Sequence, residues 1–183
     1  MTDTIKPKHR SWVMSRIRSG DTKPELLVRS ILHRAGFRFT LRRRDLPGKP
    51  DIVFPKYKAV VFVHGCFWHW HRDPECKISK IPKSNKAFWK EKFTKTASRD
   101  KINEVRLTEI GWRIFTLWEC KVVKDPAGET SRLIVWLSRE NAVPIQNVNV
   151  KKAIQNIDYR HKSILKLRTG STKFCHDKNT ETN

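Results

Sequence analysis

The chain has 183 residues, 38% of them hydrophobic, which gives room for one globular core with a modest tail and too little for two full domains. Against 18 aspartates and glutamates stand 39 lysines and arginines, a net charge of +21 that exceeds what solubility needs and points to a polyanionic partner, best met by nucleic acid. No stretch approaches the ~18 consecutive apolar residues of a membrane span, and the opening MTDTIKPKHR has no apolar run to act as a secretory signal, so a cytoplasmic protein with no membrane partner is expected.

Residues 1–20, MTDTIKPKHRSWVMSRIRSG, are basic with scattered apolar anchors, the pattern of an arm that follows something negative. DTKPELLVRSILHRAG then predicts a helix, with Thr22 as N-cap, Glu25 completing a capping box, Leu27, Ile31 and Ala35 on one face, and Gly36 at its end. GFRFTLRR alternates apolar and polar residues, DLPGKPD is turn chemistry, and DIVF and KAVVFVHG are β-branched runs of strand length. From Asn85 to Ile110 spaced apolar residues in a charged background predict one long or two shorter helices, and GWRIFTLWEC predicts another strand. ETSRLIVWLSRENA reads as a helix that docks Leu133, Trp136 and Leu137. Beyond Pro144 there is material for one loose helix and a disordered end. The order is that of an α/β core over residues 21–123, preceded by the basic arm and followed by a helical extension and basic, partly disordered tail over 124–183.

Four cysteines are few for a disulfide scaffold and suit thiols or metal ligands in a reducing compartment. In HGCFWHWHRDPEC, Cys66, His71 and Cys76 stand close together, and Cys120 closes the last predicted strand. A local knuckle plus one distant thiolate is how structural zinc staples two elements, so a Cys3His zinc site is expected. Ordinary buried thiols are the plainer reading, and Asp73 and Glu75 are competing oxygen ligands, although thiolate and imidazole suit zinc better.

His64 and His69 are left without a structural task, and each can equally be a hydrogen-bonded spectator. Asp51 heads DIVF, and in a small sheet its end can meet the end of the strand that carries His64. Phosphodiester hydrolysis needs a carboxylate for magnesium, a group to activate water and one to protonate the leaving oxygen, and Asp51, His64 and His69 supply those types. Glu25 is explained as well by the capping box as by a role beside the metal. Asp100, in a charged helix, is most simply solvated, and Glu119 adjoins Cys120.

MSRIRSGDTKPE, LPGKPDIVF, VFVHGCFWHWH, FWKEKF with RD following, and GWRIFTLWEC occur in that order over residues 10–122, and together they closely resemble the very short patch repair (Vsr) DNA mismatch endonucleases. The resemblance implies a restriction-endonuclease-like core, a mixed central sheet flanked by helices, with a structural zinc and a magnesium-dependent nick. The substrate it implies is double-stranded DNA with a T:G mismatch, left by deamination of 5-methylcytosine and cut on the T strand. Carried over by residue, Asp51 and the Val63 backbone carbonyl hold magnesium. His69 is the general base, His64 supports the phosphate or the proton transfers, and Glu25 is the acidic helper. Cys66, His71, Cys76 and Cys120 hold zinc. Phe67, Trp68 and Trp89 match side chains that wedge between base pairs, whereas core packing suits Trp112 and Trp118, and Trp70 has no assignment. Met14 and Arg16 match a segment reaching DNA from the opposite groove. Val63 stands where the family often has Thr, and the RDPE spacer before Cys76 is longer than the family leads one to expect. A bacterial, nucleoid-associated monomer with a mismatch-repair protein as partner fits this picture. The other readings are a nuclease of the same fold with another DNA target, and a zinc-stapled DNA-binding module without catalysis.

Overall fold

The computed structural model describes Trp12 and residues 20–139. Met14, Arg16, most of the basic arm and the tail from residue 140 onward lie outside the described residues. Helix α1 (Lys23–Arg34) starts with the expected capping box between Thr22 and Glu25, has Pro24 in its first turn, and is followed by Gly36 with φ +89. Strand β1 (Ile52–Phe54) is short because Pro55 begins a single 3-10 turn through Tyr57. Strand β2 (Ala59–His64) returns antiparallel to it, with Ile52 opposite Val61.

The expected strand in GFRFTLRR reduces to one bridge, between Thr40 and Val53. The alternation was suitable, but Arg42 takes a left-handed backbone with φ 53 and turns the chain away two residues later. Residues 86–109 form one unbroken helix, α2 (Lys86–Glu109). Strand β3 (Arg113–Trp118) then pairs parallel with β2, Val63 opposite Leu117 and His64 opposite Trp118, giving a sheet of order β1, β2, β3. The strand stops one residue before Glu119. Cys120 therefore lies in the first turn of helix α3 (Glu119–Lys124), not at the end of a strand. Helix α4 (Pro126–Ser138) follows, capped by the Asp125 side chain on the Gly128 N–H at 2.8 Å.

Alternation along the strands divides the sheet into two faces. One face, with Ile52, Phe54, Ala59, Val61, Val63 and Leu117, packs on Val28 and Leu32 of α1, Val122 of α3, and Leu133 and Leu137 of α4. Each fully buried aliphatic of this layer contributes about 1.5–3 kcal/mol. The core thus takes in α4, where Leu133 and Leu137 are buried and Trp136 is packed against the same cluster. The opposite face presents Val53, Val60, Phe62 and Ile114 to Leu107 of α2 and to Trp112, and it is the face on which His64 falls. The result is a mixed α/β fold, a small mixed sheet flanked by helices on both sides. No helix among the described residues is long and apolar enough to cross a membrane.

Candidate active site and metal centre

The stretch from His64 to Cys76 leaves the end of β2 and splits into two sets of donors. What separates them is Trp70, which has φ 49, a left-handed backbone that a bulky side chain rarely adopts and that costs on the order of 1–2 kcal/mol. Its ring is held by stacking near Phe93, with centroids 6.0 Å apart, and by the Arg72 guanidinium 4.3 Å above it. The reversal at this residue sends His69 and His71 to different places.

His71 joins Cys66, Cys76 and Cys120, and one ligand atom from each lies within 4.8 Å of the others. The His71 Nδ1 is 3.4 Å from the Cys120 Sγ, so Nδ1 is the ring nitrogen facing the thiols, while Nε2 lies 3.9 Å from an Asp73 carboxylate oxygen. At that distance the Asp73 carboxylate is a nearby charge and not a hydrogen-bond partner of the ring. Trp118 stacks on the other side of the His71 ring at 4.0 Å, so it serves this cluster as well as the sheet. The Cys120 N–H donates to the Cys66 Sγ at 3.3 Å, a contact that depends on α3 beginning where the sequence suggested more strand. The RDPE spacer closes as a turn: the Cys76 N–H reaches the Asp73 carbonyl at 2.9 Å and the Glu75 N–H the Asp73 side chain at 3.0 Å.

Burial pushes the Cys66 thiol far up and raises the Cys120 thiol as well, whereas at Cys76 the Ile78 and Ser79 N–H groups and neighbouring thiols outweigh burial and draw it down. Three thiols this close cannot all lose their protons without a cation among them. Burial, and after it the Lys121 charge, lower the His71 imidazole against the opposing pull of Asp73, which favours the neutral form a ligand needs. The donor set can hold a metal ion.

The second set surrounds a cleft of about 840 Å3 at the α2 face of the sheet end, lined by Glu25, Asp51, Val63, His64, His69 and Asp100 among others. The Asp51 Oδ2 accepts the Val63 N–H at 2.7 Å, tying the residue before β1 to β2. Burial, aided by the Glu25 charge, lifts the Asp51 carboxyl to about 6. His64 is pushed down to about 4, by burial and then by the neighbouring His69, so it is neutral near pH 7. Gly48, with φ +74, lies where a Cβ would come within 3.1 Å of Asn103 and 3.2 Å of Phe62, so LPGKPD needs glycine there to let the cleft wall close.

Asp100 is not a solvated surface residue. Its Oδ2 lies 2.6 Å from the His69 Nδ1, and its side chain is 20% exposed. The signal for this was present in the sequence: Phe93, Asp100 and Leu107 recur every seven residues, and Phe93 and Leu107 are the buried residues of α2. A carboxylate on that line faces the core side. With Asp100 accepting the Nδ1 proton, the His69 Nε2 keeps its lone pair free to act as a base. His64 and His69 stack face to face, centroids 3.8 Å apart and planes 5° from parallel. One ligand atom from each of His64, His69 and Asp100 also lies within 4.8 Å of the others, so this group too could hold a metal ion.

Glu25 is 3% exposed and both of its oxygens are engaged. Oε1 accepts the Thr22 hydroxyl at 2.7 Å and the Thr22 N–H at 3.4 Å, and Oε2 accepts the Asp21 N–H at 3.0 Å and Arg29 Nη2 at 2.7 Å. The capping role and a place on the cleft wall are both real. Glu119 lines the same cleft and its Oε2 accepts the Cys66 N–H at 3.3 Å, so it touches both donor sets.

Phe67 packs edge-on against Trp68, Trp89 and Phe93 at 5.1, 5.1 and 5.3 Å, with only Phe93 fully buried, and Lys92 sits 5.4 Å above Trp89 and 5.6 Å above Trp68. These aromatics form a half-buried ridge beside the cleft.

A profile of the DNA mismatch endonuclease Vsr family matches residues 2–76. The type II nicking enzyme V.XorIIP of Xanthomonas oryzae is 47% identical over 122 residues, 67% of this chain and 88% of the relative. The corresponding enzyme V.NmeAIP of Neisseria meningitidis is 49% identical over 122 residues, 67% and 85% of the two chains. The DNA mismatch endonuclease Vsr of Escherichia coli is 38% identical over 147 residues, 78% and 92% of the two chains. The protein is an endodeoxyribonuclease with DNA as its substrate, of the nicking kind. It belongs to the Vsr family of DNA mismatch endonucleases.

Proposed function

We propose that this nuclease nicks the thymine strand beside a T:G mismatch, with magnesium at Asp51 and zinc in the Cys66, His71, Cys76 and Cys120 cluster. The observation that carries the reading is the His69–Asp100 pair at 2.6 Å, in one cleft with Asp51 and His64. Asp51, anchored on the Val63 N–H, brings one carboxylate to the cleft, which suits an ion that takes one or two carboxylates plus substrate phosphate oxygens. Asp51 and the Val63 backbone carbonyl would hold magnesium, which would supply charge neutralisation at the scissile phosphate. His69 takes the proton of the attacking water at Nε2, and the Asp100 carboxylate fixes the tautomer and stabilises the imidazolium. His64, neutral near pH 7, orients the phosphate as an N–H donor. Glu25, with its oxygens occupied, acts through its charge and through the shape it gives the cleft wall.

The Cys3His set fits the tetrahedral site of zinc, whose four thiolate and imidazole ligands stand about 3.8 Å apart or closer at bond lengths of about 2.0–2.3 Å. Its placement makes the metal a staple between the end of β2 and α3. Phe67, Trp68 and Trp89 serve as the wedge that opens the mismatched step, and Met14 and Arg16 reach the other groove. A sheet covered on both faces, with its carboxylate at one edge, is what a relation to the restriction-endonuclease core asks for. We place the enzyme in the bacterial cytoplasm, at the nucleoid, acting as a monomer.

The test is nicking of end-labelled duplexes that carry one T:G pair in varied flanking contexts, with magnesium or with chelator, against a fully paired control. A nick on the T strand confined to the mismatched duplex, and lost in chelator, is expected. Equal cleavage of paired and mismatched DNA would replace the repair reading with a nuclease of another target.

A further inference from the structure

Helix α1 carries a charged residue that the catalytic reading leaves without a task. Arg29 is 8% exposed, and its guanidinium is shared among three partners: Nη1 to the Asp21 carboxylate at 2.6 Å, Nη2 to the Glu25 carboxylate at 2.7 Å and to the Asp51 backbone carbonyl at 3.3 Å. Its Nε is buried with no partner among the described residues, a cost that a purely structural site would shed by using an apolar side chain. Asp21 is held in turn by Arg42. The contact with Asp51 is to the main chain, so its effect is on where the residue sits.

We propose that Arg29 is a positioning residue for the nick: from inside α1 it braces Glu25 and the Asp51 main chain, and so holds the Asp51 carboxylate on the Val63 N–H at the mouth of the cleft. The inference rests on the assignment of Asp51 to the active site. Three observations combine here. The carbonyl that Arg29 grips and the carboxylate that meets Val63 belong to the same residue, so a shift of one moves the other. Asp51 precedes β1, outside the paired strand register, where its N–H to the Val61 carbonyl at 3.1 Å and its carboxylate on the Val63 N–H tie it to the sheet. The guanidinium is planar and forked, which fixes the angle between its partners as an ammonium cannot.

The experiment compares wild type, Arg29→Met, Arg29→Lys and Asp21→Asn. Hydrogen exchange of the Val63 amide is followed in the protein without added magnesium, and turnover and KM are followed on a mismatched duplex with magnesium. Arg29→Met is expected to speed Val63 exchange at least tenfold and to lower kcat about 10- to 100-fold, the range for partners that orient a metal ligand, with KM for DNA changed less than threefold. Arg29→Lys recovers part of both effects. Asp21→Asn, at the half-exposed end of the brace, folds with α1 intact, and is expected to lower kcat about threefold with a matching rise in Val63 exchange. Wild-type kcat in Arg29→Met, or lost kcat with Val63 protection unchanged, overturns the proposal. If Arg29→Met does not fold, unchanged kcat in Asp21→Asn overturns it. Wild-type protein that fails to nick while Arg29→Met still loosens Val63 would count against the active-site reading and leave the brace standing.

Discussion

The two donor sets drawn from His64 to Cys76 are built on opposite plans. The Cys66, His71, Cys76 and Cys120 cluster turns its donors inward on one another and is buried or nearly so throughout. The cleft set is spread around an open space, and each of its groups is held by a protein partner: Asp51 by the Val63 N–H, His69 by Asp100, Glu25 by Thr22 and Arg29. A site whose ligands converge is complete once one ion enters. A site whose groups are individually anchored stays open for substrate, and its specificity lies in where each anchor puts its group.

The comparison breaks most readily at the inward site. Cys120→Ser is expected to abolish the bound zinc, read by elemental analysis, and to lower stability by several kcal/mol, a fraction of the ~10 kcal/mol or more that structural zinc contributes in small domains. A variant that lacks zinc and melts like wild type would make the cluster ordinary thiols.

At the cleft the same kind of change has the reverse effect on stability. Asp51→Asn is expected to reduce nicking by about 10³-fold, worth about 4 kcal/mol, while duplex binding persists. Because the folded Asp51 binds its proton up to about 6 and the unfolded one only to 3.8, its ionisation opposes folding, and stability from this group falls as pH rises through that window. The Asn variant should therefore be about 1–3 kcal/mol more stable than wild type at pH 7, the gain shrinking toward pH 4, as followed by urea denaturation. In wild type, magnesium must displace the Asp51 proton below about pH 6, so the magnesium needed for half-maximal nicking should rise about tenfold per unit as pH drops below that value. A magnesium requirement unchanged at pH 5 would remove Asp51 from the metal site.

Asp100→Asn keeps the shape of the α2 face but loses the carboxylate charge that holds the Nδ1–H tautomer and stabilises the imidazolium, and about a 10²- to 10³-fold loss in kcat with KM preserved is expected. The smallest effect belongs to the ridge. Phe67→Leu retains apolar contact with Phe93 but no ring to stack, and discrimination between mismatched and paired duplexes should fall about tenfold or less in competition binding.

What the sequence disclosed depends on how local each signal is. The clustering of Cys66, His71, Cys76 and Cys120 was legible because three of them lie within one turn-rich stretch, and the capping box because Thr22 and Glu25 are neighbours at the start of α1. The helix at Glu119 was hidden, since FTLWEC has strand character throughout and only the tertiary demand that Cys120 meet Cys66 ends the strand at Trp118. Asp100 was obscured by its charged neighbours. Its partner is 31 residues away, and the heptad line through Phe93 and Leu107 carries the information only once α2 is known to be unbroken. The failed strand at GFRFTLRR shows alternation losing to a single backbone reversal at Arg42.

The parallel pairing of β2 with β3 places residues 65–112 in one crossover, and that segment contains both histidine-bearing turns, the aromatic ridge and the whole of α2. Parallel neighbours must be brought together by closing this long loop before any of their hydrogen bonds is made, which is slow and uncompensated until late. The His69–Asp100 and Cys66–Cys120 contacts, separated by 31 and 54 residues, cannot precede it. Until that loop closes, neither donor set is assembled. A metal ion captured early between β2 and α3 would shorten the loop still to be closed, so that assembly of the cleft would be tied to the supply of that ion.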